Sequence, residues 1–244
     1  MEEEAPGGGP EGTADALPPR KLAKRIAIVR AACAVFGREG YARASVDALA
    51  AAAGVSTRTL YNHFPGGKSE LFRAVVTWSS GEVRDAHVAT VRTLLDPGRP
   101  PHPDNLERDL AALVRALIDV MVEHPDHFAL VRHVHAEADH VPPEVLAAWK
   151  SAGPGPVGDA LADALAGLEE AGLIDVHGDA ELAGAHFTAL TSSAVAQLSH
   201  YGVLPLSEAR TDRLVQGGVA AFLRAYRSRR GPAREASGQP AGDL

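Results

Sequence analysis

The sequence predicts an all-α protein, with a small N-terminal three-helix unit followed by a larger helical part. Three observations predict it. Apolar residues recur at three- and four-residue spacing along most of the chain. Hydrophobic residues make up 45% of the composition but aromatic ones only 5%, and alanine is abundant, which suits closely packed helices. Runs of β-branched residues, which favour strands, are scarce.

Residues 1–19 are Glu-, Pro- and Gly-rich with little to bury, so they read as a disordered acidic tail. A first helix is expected over 21–39, with Ile26, Val29, Ala32, Cys33 and Phe36 as its apolar stripe and Gly40 ending it. Lys21, Lys24 and Arg25 lie near its start, available either to solvent or to phosphates.

Between Ala44 and Lys68 the chain reads as two short helices around a tight turn. Ser45 is a natural N-cap for a helix carrying Val46, Leu49, Ala50 and Ala53. Gly54 stands where the chain must reverse, a place that favours positive φ. Ser56 caps a second helix whose inward residues are Leu60 and Phe64. Thr57, Arg58, Tyr61, Asn62 and His63 are left to face outward. This is a helix-turn-helix, and its second helix has the size and chemistry to enter a DNA major groove.

The remainder reads as more helix. A long helix runs from Lys68 to Leu94, and the prolines over 96–103 break it. Further helices are expected over 106–122, 128–139, from Pro142 and Pro143 onward, and over 157–172 with Gly172 as C-cap. Two last helices are expected over 179–201 and 206–227, and residues 229–244 read as a second disordered tail. The domain division expected is therefore 1–19, 20–67, 68–228 and 229–244.

Charge sorts the same way. The whole chain carries a net −7, which by itself argues against a nucleic-acid partner. Yet residues 20–73 carry a net +7, while residues 1–19 carry −5 and the rest from 74 carries −9. The positive charge surrounds the helix-turn-helix, where phosphates would meet it. The single cysteine, Cys33, falls on an apolar helix face, so disulfides play no part. The sequence has neither a signal-peptide pattern nor an apolar run long enough to span a membrane, so a cytoplasmic protein is expected.

The pattern Ser45-Val46-x-x-Leu49-Ala50-x-x-Ala53-Gly54-Val55-Ser56-x-x-Thr59-Leu60-Tyr61-x-x-Phe64, followed by Lys68 and Leu71, resembles the DNA-binding domain of the TetR/AcrR family of transcriptional regulators. Pro65, Gly66 and Gly67 stand between Phe64 and Lys68, where the family pattern has two residues. The resemblance implies a homodimer on double-stranded DNA with an inverted-repeat operator. It also implies that a small molecule releases the DNA, most often from a repressor. Ser45, Tyr61 and Lys68 match phosphate-binding positions, and Thr57, Arg58, Thr59, Asn62 and His63 complete the DNA-facing set. Arg suits guanine and Asn suits adenine at base edges.

Candidate walls for a mainly hydrophobic effector are Trp78, Val88, Val91, Leu117, Met121, Phe128, Val131, His135 and Trp149, and plain core packing is the competing reading. The resemblance also places the last two helices in a dimer interface, through Phe187, Leu190, Val195, Leu198, Val215, Val219 and Phe222. No cofactor and no membrane partner is expected.

Two other readings stay open. His133, Glu137 and His140 would share a helical face, so a metal-sensing regulator using the His-rich segment 124–140 is one. A ligand-binding protein without DNA binding is the other, although the basic head weighs against it. Gly153-Pro-Gly155-Pro-Val-Gly158 matches a dinucleotide-binding spacing, but no strand precedes it and its prolines lack the N–H groups that would hold phosphate. Gly67-Lys68-Ser69 would need a glycine at position 62, which is Asn62. No catalytic serine or cysteine setting appears, so no enzyme is expected.

Overall fold

The structure, a computed structural model, describes residues 18–228. Residues 1–17 and 229–244, which take in most of the first expected tail and all of the second, lie outside the described residues. The fold is all-α: α1 (Pro19–Arg43), α2 (Val46–Ala52), α3 (Thr57–His63), α4 (Gly67–Leu94), α5 (Leu106–Glu123), α6 (Pro125–Ala136), α7 (Pro143–Ala152), α8 (Pro154–Glu170), α9 (Ala180–Leu190), α10 (Ser192–Leu198) and α11 (Glu208–Tyr226). Among the described residues the only strand-like pairing is an isolated bridge between Ile174 and Arg227.

Local chemistry sets most of the boundaries. Pro19 starts α1, because proline lacks only an N–H that the first turn leaves unpaired anyway. Gly40 interrupts α1 at φ 77°, close to the predicted stop. Gly54 turns α2 toward α3 at φ 61°, and Gly172 ends α8 at φ 72°.

Four expectations need correction. Ile26 is 37% exposed, and Ile28, fully buried, takes its place in the stripe. The helix expected over 128–139 runs from Pro125 to Ala136, because Pro125 is favourable at a helix start. The helix expected from 157 begins at Pro154, since a first turn also tolerates Pro156. The helix expected over 179–201 is two helices, broken at Thr191 with φ −119° and ψ −96°. The hydroxyl of Thr191, fully buried, donates to the Phe187 carbonyl at 2.6 Å, and α11 crosses the break at Gly218.

Two apolar cores share α4 as a common spine. The first joins Ile28, Ala32 and Phe36 of α1, Leu49 of α2, Leu60 of α3 and Phe72 and Val75 of α4, and is closed by Leu130 and Val134 of α6 and Val145 of α7. The second joins Val91 of α4 to Leu110 and Val114 of α5, Leu165 of α8, Phe187 of α9 and Val219 and Phe222 of α11. The N-terminal head is therefore not sealed by its own residues: α6 lies along α1. At Gly37 an added Cβ would touch Ala129 Cβ at 3.4 Å, and at Gly40 it would run into the Glu137 carboxylate.

This packing corrects the expected dimer residues. Phe187, Val195, Val215, Val219 and Phe222 are each at most 3% exposed, and they fill the protomer's own core. Leu190 and Leu198 remain exposed at 41% and 45%, and Leu182 joins them at 49%. Position rather than bulk decides which side faces the core: on α10 Val195 is buried and the larger Leu198 is exposed.

Candidate nucleic-acid interface

The two short helices are capped as their serines predict. Ser45 Oγ accepts from the Ala48 N–H and Ser56 Oγ from the Thr59 N–H, both at 3.1 Å. Leu60 and Phe64 are fully buried, which fixes the rotation of α3 about its axis. Arg58, Tyr61 and Asn62 consequently face solvent, with Thr57 beside them half-buried. Positions 58, 61 and 62 lie three and four apart, so they share one face. Thr59 is turned partly inward, and its hydroxyl lies 2.9 Å from that of Ser56. Ser45 is exposed at the amino end of α2.

The structure places His63 and Lys68 differently from the outward set. His63 is half-buried, with Nδ1 enclosed and without a hydrogen-bond partner. Burial, with Lys21, Arg25 and Lys24 nearby, holds its imidazole below the usual histidine range. Lys68 Nζ donates to the Ala42 carbonyl at 3.2 Å and lies 4.8 Å from the Tyr41 ring centroid, tying the last turn of α1 to α4. The amino end of α4, which a phosphate was expected to meet, already has a carboxylate: Glu70 Oε2 accepts from the Gly66 N–H at 2.9 Å. The additional residue before Lys68 is absorbed by Gly67 at φ 63°.

Sequence reasoning missed what holds α3 in place. Arg25 of α1 donates to the backbone carbonyl of His63, the last residue of α3. Its guanidinium lies 4.0 Å from the Phe64 ring centroid and 3.0 Å from Glu70 Oε1 of α4. One side chain thus ties the exit of α3 to the entrance of α4. Burial pushes the Glu70 carboxyl up, but the Gly66 N–H and Arg25 outweigh it and leave it below the usual carboxylate range. Arg25 is a positioning residue rather than a free phosphate ligand. Only its position in a basic cluster was legible, because its partners lie 38 and 45 residues away.

The predicted effector residues divide between the two cores. Trp78 and Trp149 pack on the first, and Val88, Val91, Leu117, Met121 and Phe128 belong to the second. Val131 is buried on α6, while His135 is exposed and meets the Trp149 ring edge-on at 5.4 Å. A cleft of about 450 Å³ between α5 and α11, lined by Glu107, Leu223, Arg224 and Arg227, contains none of them.

Between the cores runs a buried polar line that sequence reasoning also missed. Ser79 Oγ lies 2.9 Å from His127 Nδ1 and also hydrogen-bonds the Cys33 thiol, which burial pushes up to about 11. Burial, then His87 and His124, pushes His127 down to about 4. Its traces in the sequence were Ser79 on an otherwise apolar face of the long helix and His127 within the His-rich segment, with nothing to join them.

The metal-binding alternative is not supported. The helix ends at Ala136: His133 and Glu137 still lie one turn apart, 3.5 Å from each other, but His140 falls beyond the helix and off that face. Glu137 Oε2 instead accepts from the Ala42 N–H at 2.9 Å, and His140 pairs with Asp139 at 2.7 Å. Among the described residues no three His, Cys, Asp or Glu converge as a metal site.

A capped helix-turn-helix with an exposed polar face, mounted on a helical core, is the architecture of a DNA-binding transcriptional regulator. Residues 28–75 match the bacterial regulatory proteins of the tetR family, and residues 108–228 match the C-terminal domain of AefR-like transcriptional repressors. The chain belongs to the TetR family of transcriptional regulators. Among curated proteins no sequence matches. A TetR-family regulator from Mesorhizobium loti is 28% identical, with a TM-score of 0.70, covering 86% of this chain and 100% of its own. The flavonoid-responsive regulator FrrA is 26% identical, with a TM-score of 0.59, covering 85% and 99%. SmeT, the repressor of a Stenotrophomonas maltophilia multidrug efflux pump, shares the fold at 21% identity and a TM-score of 0.56, over 92% and 98% of the chains. No helix among the described residues is long and apolar enough to cross a membrane.

Proposed function

We propose that the protein is a cytoplasmic, homodimeric repressor that occupies an inverted-repeat operator and leaves it when a small, mainly hydrophobic molecule binds. The observation that carries this reading is α3: the buried Leu60, with Phe64 just after the helix, leaves Arg58, Tyr61 and Asn62 outward and Thr57 half-buried beside them, in a head of net charge +7. In this reading Arg58, Asn62 and Thr57 meet base edges, and Ser45 and Tyr61 meet phosphates. Thr59, His63 and Lys68 support that surface from within. Two copies are required because one such helix reads a single half-site. The exposed Leu182, Leu190 and Leu198 supply apolar surface for the pairing.

Responsiveness to a small molecule is supported by the likeness to FrrA, which is flavonoid-responsive. The effector acts only if it binds the DNA-incompetent spacing of the two heads more tightly than the competent one. Two elements transmit that difference: α4, which spans both cores, and α6, which lies directly on α1.

Matched variants test the assignment on a duplex that the protein itself selects from random sequence. Arg58→Ala should weaken binding by about 1–3 kcal/mol and relax the preference at one base pair per half-site. Arg25→Met should weaken binding to every sequence alike while leaving the salt dependence unchanged. A salt slope lower by about 0.9 for Arg25→Met would mean that it holds a phosphate instead of α3.

A further inference from the structure

The turn after α10 has three consecutive residues in the left-handed region, with φ 48° at His200, 54° at Tyr201 and 87° at Gly202. It closes the helix as a Schellman motif, the His200 N–H donating to Gln197 O at 3.0 Å and the Tyr201 N–H to Ala196 O at 2.6 Å. Glycine is the usual residue at such positions, yet here two large side chains occupy them and the glycine comes third. A backbone that tolerates this is holding a side chain at a set place.

The side chain held is an aromatic ring among other rings. Tyr201 lies nearly parallel to Phe128, at 20° and 6.5 Å between centroids, and to His135, at 18° and 5.8 Å. Trp149 of α7 meets His135 edge-on, so four rings come together from α6, α7 and this turn. None is fully covered by protein: Phe128, Trp149 and Tyr201 are half-buried, and His135 is exposed. On the inner side, His127 and His87 approach the Phe128 ring edge-on at 4.9 and 6.5 Å. Burial holds both below the usual histidine range and so works against a charge on that side.

We infer that these ring faces bind a neutral, planar aromatic molecule, with Tyr201 stacked on it as a strap. This names the class of effector and rests on the responsive-regulator reading above. Ring faces favour a second π-system over a saturated group of equal size, so the site should discriminate by aromaticity as well as by apolar area.

Calorimetric titration of the full-length protein without DNA tests this, using 2-naphthol and its saturated counterpart decahydro-2-naphthol. The expected result is at least tenfold tighter binding of 2-naphthol by the wild type and by Tyr201→Phe, which keeps the ring. Tyr201→Gly, compatible with the left-handed backbone, should keep the thermal midpoint but lose that tenfold difference. Equal affinities for the two compounds, no heat from either, or a preference that survives Tyr201→Gly would each overturn the inference. So would a change in mass of Tyr201→Gly by light scattering, which would assign the ring to a contact between copies. DNA takes no part in the titration, so its failure leaves the DNA-binding reading standing, and loss of DNA binding leaves this site standing.

Discussion

Gly218→Ala is expected to destabilise the protein by about 3 kcal/mol, at the upper end of what overpacking costs, while its neighbour Gly217→Ala is neutral or stabilising. Both glycines lie inside α11, where alanine is the better helix former by about 1 kcal/mol. Their surroundings differ completely. An added Cβ at Gly217 meets nothing within 4 Å, whereas at Gly218 it would overlap the Leu190 carbonyl oxygen and lie 2.9 Å from that carbonyl carbon. Backbone cannot rotate away as a flexible side chain can. Either α11 or the α9–α10 break must shift, and with it the core built on Phe187, Val219 and Phe222. Chemical denaturation of the two variants in parallel checks this. Similar midpoints for both would mean that α11 does not approach the break as closely as described.

Acid is expected to weaken the fold through His127. Its folded-state value is pushed down to about 4 against an ordinary 6.5, so the unfolded chain binds the proton first. The full contribution is present above about pH 6.5, declines as the pH falls toward 4, and is constant below that. A depression of that size corresponds to about 3 kcal/mol. His127→Gln should be less stable at pH 7.5, because the hydrogen bond to Ser79 is altered, but its stability should vary less across this window. Denaturation midpoints at pH 7.5, 5.5 and 4.5 decide it. An equally steep decline in the variant would place the acid sensitivity elsewhere, and the other depressed histidines, His63 and His87, would be next to test.

The helix-turn-helix was legible because its determinants are local. Ser45, Gly54, Ser56 and the Leu60–Phe64 pair each act within a few residues of the backbone they shape, so spacing alone located both helices and the turn. The outward face of α3 followed by subtraction. Arg25 was not legible as a positioning residue, because its three partners come together only when α1, α3 and α4 pack. The same limit applied to the C-terminal helices. The sequence marks apolar stripes on α9 and α11, but which stripe meets the protomer's own core depends on neighbours far along the chain. Phe187, Val195 and Phe222 went inward and left Leu182, Leu190 and Leu198 outside. Thr191 gave no warning of a break, since threonine is not a helix breaker. What makes the break is the buried fit of Thr191 against α11. Hydrophobicity marks the expected effector residues on four helices, and that property does not distinguish one core from two.

The claim on which the rest depends is that α3 reads DNA as one half of a symmetric pair. Selection from a random-sequence duplex library, carried out at two salt concentrations, tests it most directly. The expected result is enrichment of an inverted repeat whose half-site centres lie one helical turn, or a multiple of it, apart, with affinity that falls steeply with salt. Weak binding with no enriched sequence at either salt concentration would contradict it.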